Sequence, residues 1–162
     1  MDINFKRLLY CFICFGLCVT LIGCHGNVSE EIKNGKKEDV YKNKNMDISF
    51  NIPKTWEDKY KIIHMKDSSG IKKVIFQKKD KKYKIILLEL WLVNENQLDE
   101  WKDVRKLNVI KKTDKGIIAY SKPRLESIIE NIGSNVGSKN KELEKGIREM
   151  YLSKDDIMQR IN

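Results

Sequence analysis

Between Tyr83 and Val93 the chain places Ile85, Ile86, Leu87, Leu88, Leu90, Trp91 and Leu92 around a single charged residue, Glu89. Successive side chains of a strand point to opposite faces, so a strand of this composition is apolar on both. Such a strand belongs inside a sheet, with one layer packed above it and another below. A sheet with one wet face does not satisfy it. The remainder of the chain has to supply neighbouring strands and covering helices.

The flanking sequence offers both. Ile48, Phe50 and Ile52 alternate with Ser49 and Asn51, and Pro53 ends that strand by removing an N–H donor. Trp56 then folds back as a cap on the core. Residues 59–65 and 71–78 read as two strands around the turn-forming Asp67-Ser68-Ser69-Gly70. After the central strand, Asn94 or Asn96 caps a helix whose Leu98, Trp101 and Val104 form a stripe, and Asn94-x-x-Gln97 has the form of a capping box. Two further strands, 107–113 and 117–122, flank Asp114-Lys115-Gly116, and Pro123 closes the sheet portion. The period then changes from two to 3.6. Leu125, Ile128, Ile129 and Ile132 share one helical face; Leu143, Ile147, Met150 and Tyr151 form a second helix; and a third starts at Ser153, with Asp156 as its capping partner and Ile157 and Ile161 as its buried residues. Six strands joined mainly by hairpins, with helices packed on them, predict an α+β fold around an antiparallel sheet.

The start of the chain carries a different signal. Lys6 and Arg7 precede an apolar run from Leu8 to Ile22 that ends Leu21-Ile22-Gly23-Cys24. A run of about 15 residues reaches roughly 22 Å as a helix, short of a hydrocarbon core of roughly 30 Å, so a cleaved leader is the better reading than a permanent span. The four-residue ending resembles the lipobox of bacterial lipoproteins. That resemblance implies a diacylglycerol thioether on Cys24, cleavage between Gly23 and Cys24, and a protein anchored by lipid to the outer face of the cell membrane. All four cysteines, Cys11, Cys14, Cys18 and Cys24, lie in this segment. Cys11-x-x-Cys14 falls midway along the apolar run with no second pair or histidine near it, which reads as chance composition rather than a metal or redox pair.

These readings divide the chain into a leader, residues 1–23; a lipidated N-terminus and polar tether, 24–46; and a folded domain, 47–162. The tether has only Val28, Ile32, Val40 and Tyr41 as sizeable apolar groups before Met46. As a flexible chain of about 22 residues it would span roughly 25 Å. The strand running into Pro53-x-x-Trp56, followed by a meander and late helices, resembles PsbP/Mog1-like domains, among them small lipoproteins of Gram-positive bacteria. That resemblance implies an α+β sandwich and a range of partner-binding roles, and it carries no catalytic or metal residues onto these positions.

The formal charge is +9, from 27 Lys and 5 Arg against 23 acidic residues. Removing 1–23 takes away Lys6, Arg7 and Asp2 and leaves +8. Nucleic-acid readers favour the bidentate fork of Arg, and here the basic residues are lysines, scattered rather than interleaved with aromatics, so nucleic acid is not an expected partner. Coding bias accounts for abundant lysine; attraction to an anionic membrane or envelope polymer is the functional alternative.

The candidates for chemistry are few. His64 is the one histidine after residue 46 and reads either as a surface or hydrogen-bonded residue or as a base whose partners spacing does not reveal. Glu89 interrupts the most apolar strand, either lining a pocket with Trp91 or Tyr83 or paired with a lysine. Asp99-Glu100 and Asp155-Asp156 are neighbours in sequence that diverge by about 100 degrees on a helix. No nucleophile elbow, zinc-protease or phosphate-loop pattern is present after residue 23, and no cofactor or metal is expected. The sequence therefore points to a binding module for a partner protein or an anionic envelope polymer. A small envelope enzyme using Glu89 and His64 is the alternative.

Overall fold

The computed structural model describes residues 29–34, 40–66, 70–133 and 141–162. The leader, including Gly23 and Cys24, lies outside the described residues. The fold is α+β, as the sequence predicts. Strands β4 (Tyr60–Lys66), β5 (Lys72–Lys78), β6 (Ile85–Val93), β7 (Asn108–Thr113) and β8 (Gly116–Ser121) form one antiparallel sheet in the order β4-β5-β6-β8-β7, extended beside β4 by β1 (Ser29–Asn34). Two shorter strands, β2 (Val40–Asn43) and β3 (Ile48–Asn51), pair only with each other.

This arrangement corrects two expectations. The predicted first strand, β3, stays out of the main sheet, so five of the six predicted strands pair there. The far side of β3 is taken by the chain's end, where Ser49 and Asn162 exchange backbone hydrogen bonds of 3.0 Å and Phe50 bridges Ile161. The segment expected to be a tether also enters the fold. β1 pairs with β4 through its backbone, and Tyr41 and Met46 are buried in the main core. Local composition is too polar to signal this, because these residues gain their apolar contacts from elements far along the chain.

The central strand behaves as its sequence requires. Leu88, Leu90 and Leu92 face the large core, while Trp91 and Val93 face a smaller one on the other side. The pairing of β5 with β6 slips after Phe76, which stands opposite Leu88, so that Gln77 stands opposite Ile86 and Leu87 is an extra residue. That bulge reverses the alternation, and Ile85 and Leu87 join the same large core as Leu88.

Three helices cover the large core: α2 (Leu125–Gly133), α3 (Lys141–Met150) and α4 (Lys154–Arg160), through Ile128, Ile132, Ile147, Met150 and Ile157. Trp56 caps it as predicted. Its ring lies among Phe50, Tyr60 and Phe76, and its indole N–H donates to the Met150 carbonyl at 2.6 Å. The remaining helix, α1 (Glu95–Arg105), lies on the other face and begins at Asn94 with a complete capping box to Gln97. Leu98 and Trp101 pack against the smaller core, but Val104 is 71% exposed. The expected three-residue stripe is cut to two because this core spans only about one helical turn.

Candidate functional site

Glu89 is built into a closed polar cluster. Cross-strand register sets it opposite Ile75 on one side and Ser121 on the other, with Lys73 opposite Trp91 one step along. Residues directly opposite in an antiparallel pair share a face, so all of these lie on the side of the smaller core. The Ser121 hydroxyl donates to Glu89 Oε2 at 2.9 Å, and the Trp91 indole N–H donates to Ser121 Oγ at 3.3 Å. Lys73 Nζ lies 3.4 Å from Glu89 Oε1 and 4.5 Å from the centre of the Trp91 ring. Side-chain exposure is 14% for Glu89 and 20% for Lys73. Both carboxylate oxygens are engaged, and the arrangement is that of a carboxylate satisfied by its neighbours.

His64 lies on the opposite face. It stands across from Val74, which stands across from Leu90, so it shares the side of the large core. The sheet itself therefore separates His64 from Glu89, and the pair required by the enzyme reading is not assembled. Asn43 Nδ2 donates to the Tyr41 hydroxyl at 2.8 Å, and that hydroxyl lies 3.1 Å from His64 Nε2. Tyr41 also meets the His64 ring edge-on at 5.9 Å. This histidine ties β2 to β4.

Among the described residues, no group of three His, Cys, Asp or Glu side chains is placed to hold a metal ion. Among the same residues, no helix is long and apolar enough to cross a membrane.

Two features were not singled out from the sequence. The first is a concentration of charge. Residues 59–84 hold ten lysines, Asp67 and Asp80, a net +8 that leaves only +1 for all the rest of the chain. A running sum of charge along the sequence would have revealed it. Folding stacks these lysines on β4, β5 and the link to β6. Lys66 stands directly opposite Lys72, and at the other end the Lys79 N–H donates to the Lys59 carbonyl at 2.7 Å. Like charges facing each other across a strand pair are destabilising. Among the described residues, Lys73 is the one member of this set with a carboxylate partner. Asp80 is consumed locally, since its Oδ1 accepts the backbone N–H groups of Lys82 and Tyr83, each at 2.8 Å.

The second feature is a cleft of about 180 Å³ where the start of β6 meets α2. Its walls are mainly apolar, from Ile85, Ile86, Pro123, Ile128 and Ile132, and Tyr83, Lys84, Ser127 and Asn131 complete the lining. The half-buried Tyr83 ring carries Lys82 Nζ 5.0 Å from its centre. The Tyr83 hydroxyl is shut away from water and has no hydrogen-bond partner. An unpaired buried hydroxyl costs about 1–3 kcal/mol, and among the described residues the Arg160 Nε is likewise buried and unpaired.

Comparison with protein families, with curated proteins and with solved structures returns no match.

Proposed function

We propose that this protein is an exported, lipid-anchored binding module that uses the lysines gathered on β4, β5 and the link to β6 to hold an anionic polymer of the cell envelope. The observation that carries this reading is the placement of nearly the whole net charge in residues 59–84, in a geometry that sets like charges opposite one another. Uncompensated cations at cross-strand distance attract a polyanion over a distance set by ionic strength and give avidity without shape-specific contacts. Flexible ammonium groups suit an irregular phosphate-rich chain, for which the fixed fork of Arg has no advantage. The enzyme alternative loses support because the sheet separates Glu89 from His64.

Anchoring belongs to the same reading. Leu21-Ile22-Gly23-Cys24 supports lipidation of Cys24 and retention at the outer face of the membrane, and two acyl chains suffice for stable attachment. The strand leading into Pro53 and Trp56 keeps the PsbP/Mog1-like resemblance as part of the proposal. The test uses the chain from residue 24 with Cys24 replaced by Ser, which contains every described element. It is retained on immobilised poly(glycerol phosphate) at about 0.15 M salt and released as salt rises. The triple reversal K79E/K81E/K82E on exposed positions lowers retention at least tenfold. Equal retention of the two proteins overturns the proposal. Intact mass of the native N-terminus tests the anchor separately: an unmodified Cys24, or residues retained before it, refutes lipidation.

A further inference from the structure

We propose that the apolar run Leu8–Ile22 is an intramolecular cover for the smaller-core side of β4 and β5, and that cleavage before Cys24 takes it away. Three cross-strand pairs make up this face: Met65 with Lys73, Ile63 with Ile75, and Lys61 with Gln77. Ile75 stands opposite Glu89, which fixes the side. None of the six is exposed, and Ile63, Ile75 and Gln77 keep only 4%, 2% and 5% of their surface. Yet the two isoleucines belong to neither the large core nor the smaller one. The helix on that side, α1, packs through Leu98 and Trp101 against the smaller core, whose strand members lie on β6 and β8. Neighbours within a sheet flank a side chain without roofing it, so burial to this degree takes a further layer on top.

Elimination identifies the layer. Of the residues outside the described set, 35–39 and 67–69 have no apolar side chain. Residues 134–140 hold one, Val136, and join α2 to α3 on the large-core side. Residues 1–28 hold the run Leu8–Ile22 and lead directly into β1, the neighbour of β4. Reach and size agree with this source. The link 23–28 extends to about 20 Å at most, and β5 lies two strand spacings, about 10 Å, from β1. As a helix the run is roughly 22 Å long, against roughly 23 Å for strands of seven residues. Laying it over Ile63 and Ile75 takes both apolar surfaces out of water.

The uncovering rests on the cleavage reading, whereas the cover itself does not, and neither draws on the lysines of 59–84. Thiol accessibility tests it. The full chain, with its four native cysteines replaced by Ala, carries Gln77→Cys; a companion chain with the same changes starts at residue 24. Iodoacetamide modifies Gln77→Cys at least tenfold more slowly in the full chain, at a rate independent of protein concentration. Val74→Cys, on the same strand but 2% exposed within the large core, stays protected in both chains. Lys61→Cys, half-buried opposite Gln77, gives the same contrast where Gln77→Cys does not fold. Equal rates in the two chains overturn the proposal. So does protection that grows with concentration, which assigns the cover to a second copy, and so does exposure of Val74→Cys in the shorter chain, which makes the run a support for the whole fold rather than a cover for one face. Retention on poly(glycerol phosphate) is read on a chain that lacks the run, so the cover and the polymer site fail or stand separately.

Discussion

Replacing Glu89 by Ala removes the acceptor at the centre of the polar cluster on the smaller-core side of the sheet. Two groups then lose their partner. The Ser121 hydroxyl, on a residue only 6% exposed, forfeits its 2.9 Å bond, and leaving such a group unsatisfied costs about 1–3 kcal/mol. Lys73 loses its carboxylate at 3.4 Å. Breaking a fully buried pair costs about 3–5 kcal/mol and an exposed pair about 0–1 kcal/mol, and a lysine 20% exposed keeps enough water to sit near the lower end. The sum for Glu89→Ala is about 2–3 kcal/mol of lost stability. Glu89→Gln keeps an acceptor for Ser121 and gives up the charge, for about 1 kcal/mol. Urea unfolding reads both as a lower midpoint at unchanged slope. A double-mutant cycle with Lys73→Met returns a coupling of about 1 kcal/mol. If Glu89→Ala is neutral or stabilising, the structural reading fails, because a carboxylate that destabilises its own fold is held for another purpose.

Two other predictions rest on backbone geometry. Gly116, in the β7–β8 turn, has a φ of +134° and would place a Cβ 2.8 Å from the Val93 carbonyl oxygen, so Gly116→Ala destabilises by about 2–3 kcal/mol; a thermal midpoint equal to the parent's refutes that contact. Asp156 titrates below its ordinary value of 3.8, first because the Ser153 hydroxyl donates to its carboxylate and next because the Ser153 N–H does so as well. A depressed carboxylate stabilises the fold above its unfolded pKa, and that contribution disappears as pH falls through the lower folded value. Carboxyl NMR therefore gives a midpoint below 3.8, and Ser153→Ala moves it back up; a midpoint at or above 3.8 in the parent refutes the cap.

Much of the fold was legible because its signals are local. Asn94 with Gln97 and Ser153 with Asp156 lie three residues apart, so their capping boxes are written directly in the sequence and form as read. The hairpins β4–β5 and β7–β8 follow from short turn segments between alternating runs. The two-faced apolar character of β6 announced covering layers on both sides, and they are present. The candidate site was less legible. The polarity of Glu89 stood out against its strand, but its partners Lys73 and Ser121 come from different strands and meet it only through register. The lysine concentration was readable in residues 59–84 as a sum, whereas the direct opposition of Lys66 and Lys72 depends on hairpin pairing. Nothing local marks the Tyr83 hydroxyl as unpaired. That follows from how the start of β6 packs beneath α2.

The amino-acid sequence by itself determined the class of the molecule. An eleven-residue apolar strand, polar turns and capped amphipathic helices leave few ways to bury their surfaces other than an antiparallel sheet with helices on it. Tertiary structure alone decided the assignments that depend on which element lies next to which. It drew Tyr41 and Met46 out of a polar segment into the core, moved β3 out of the main sheet and onto the C-terminal residues, and turned the alternation of β6 at Leu87. It also set Glu89 and His64 on opposite faces. The physical reason is the same in each case. A strand's side chains alternate with a period of two, so a single pairing or a single extra residue settles which face they occupy, and pairing is a long-range choice made by the whole core.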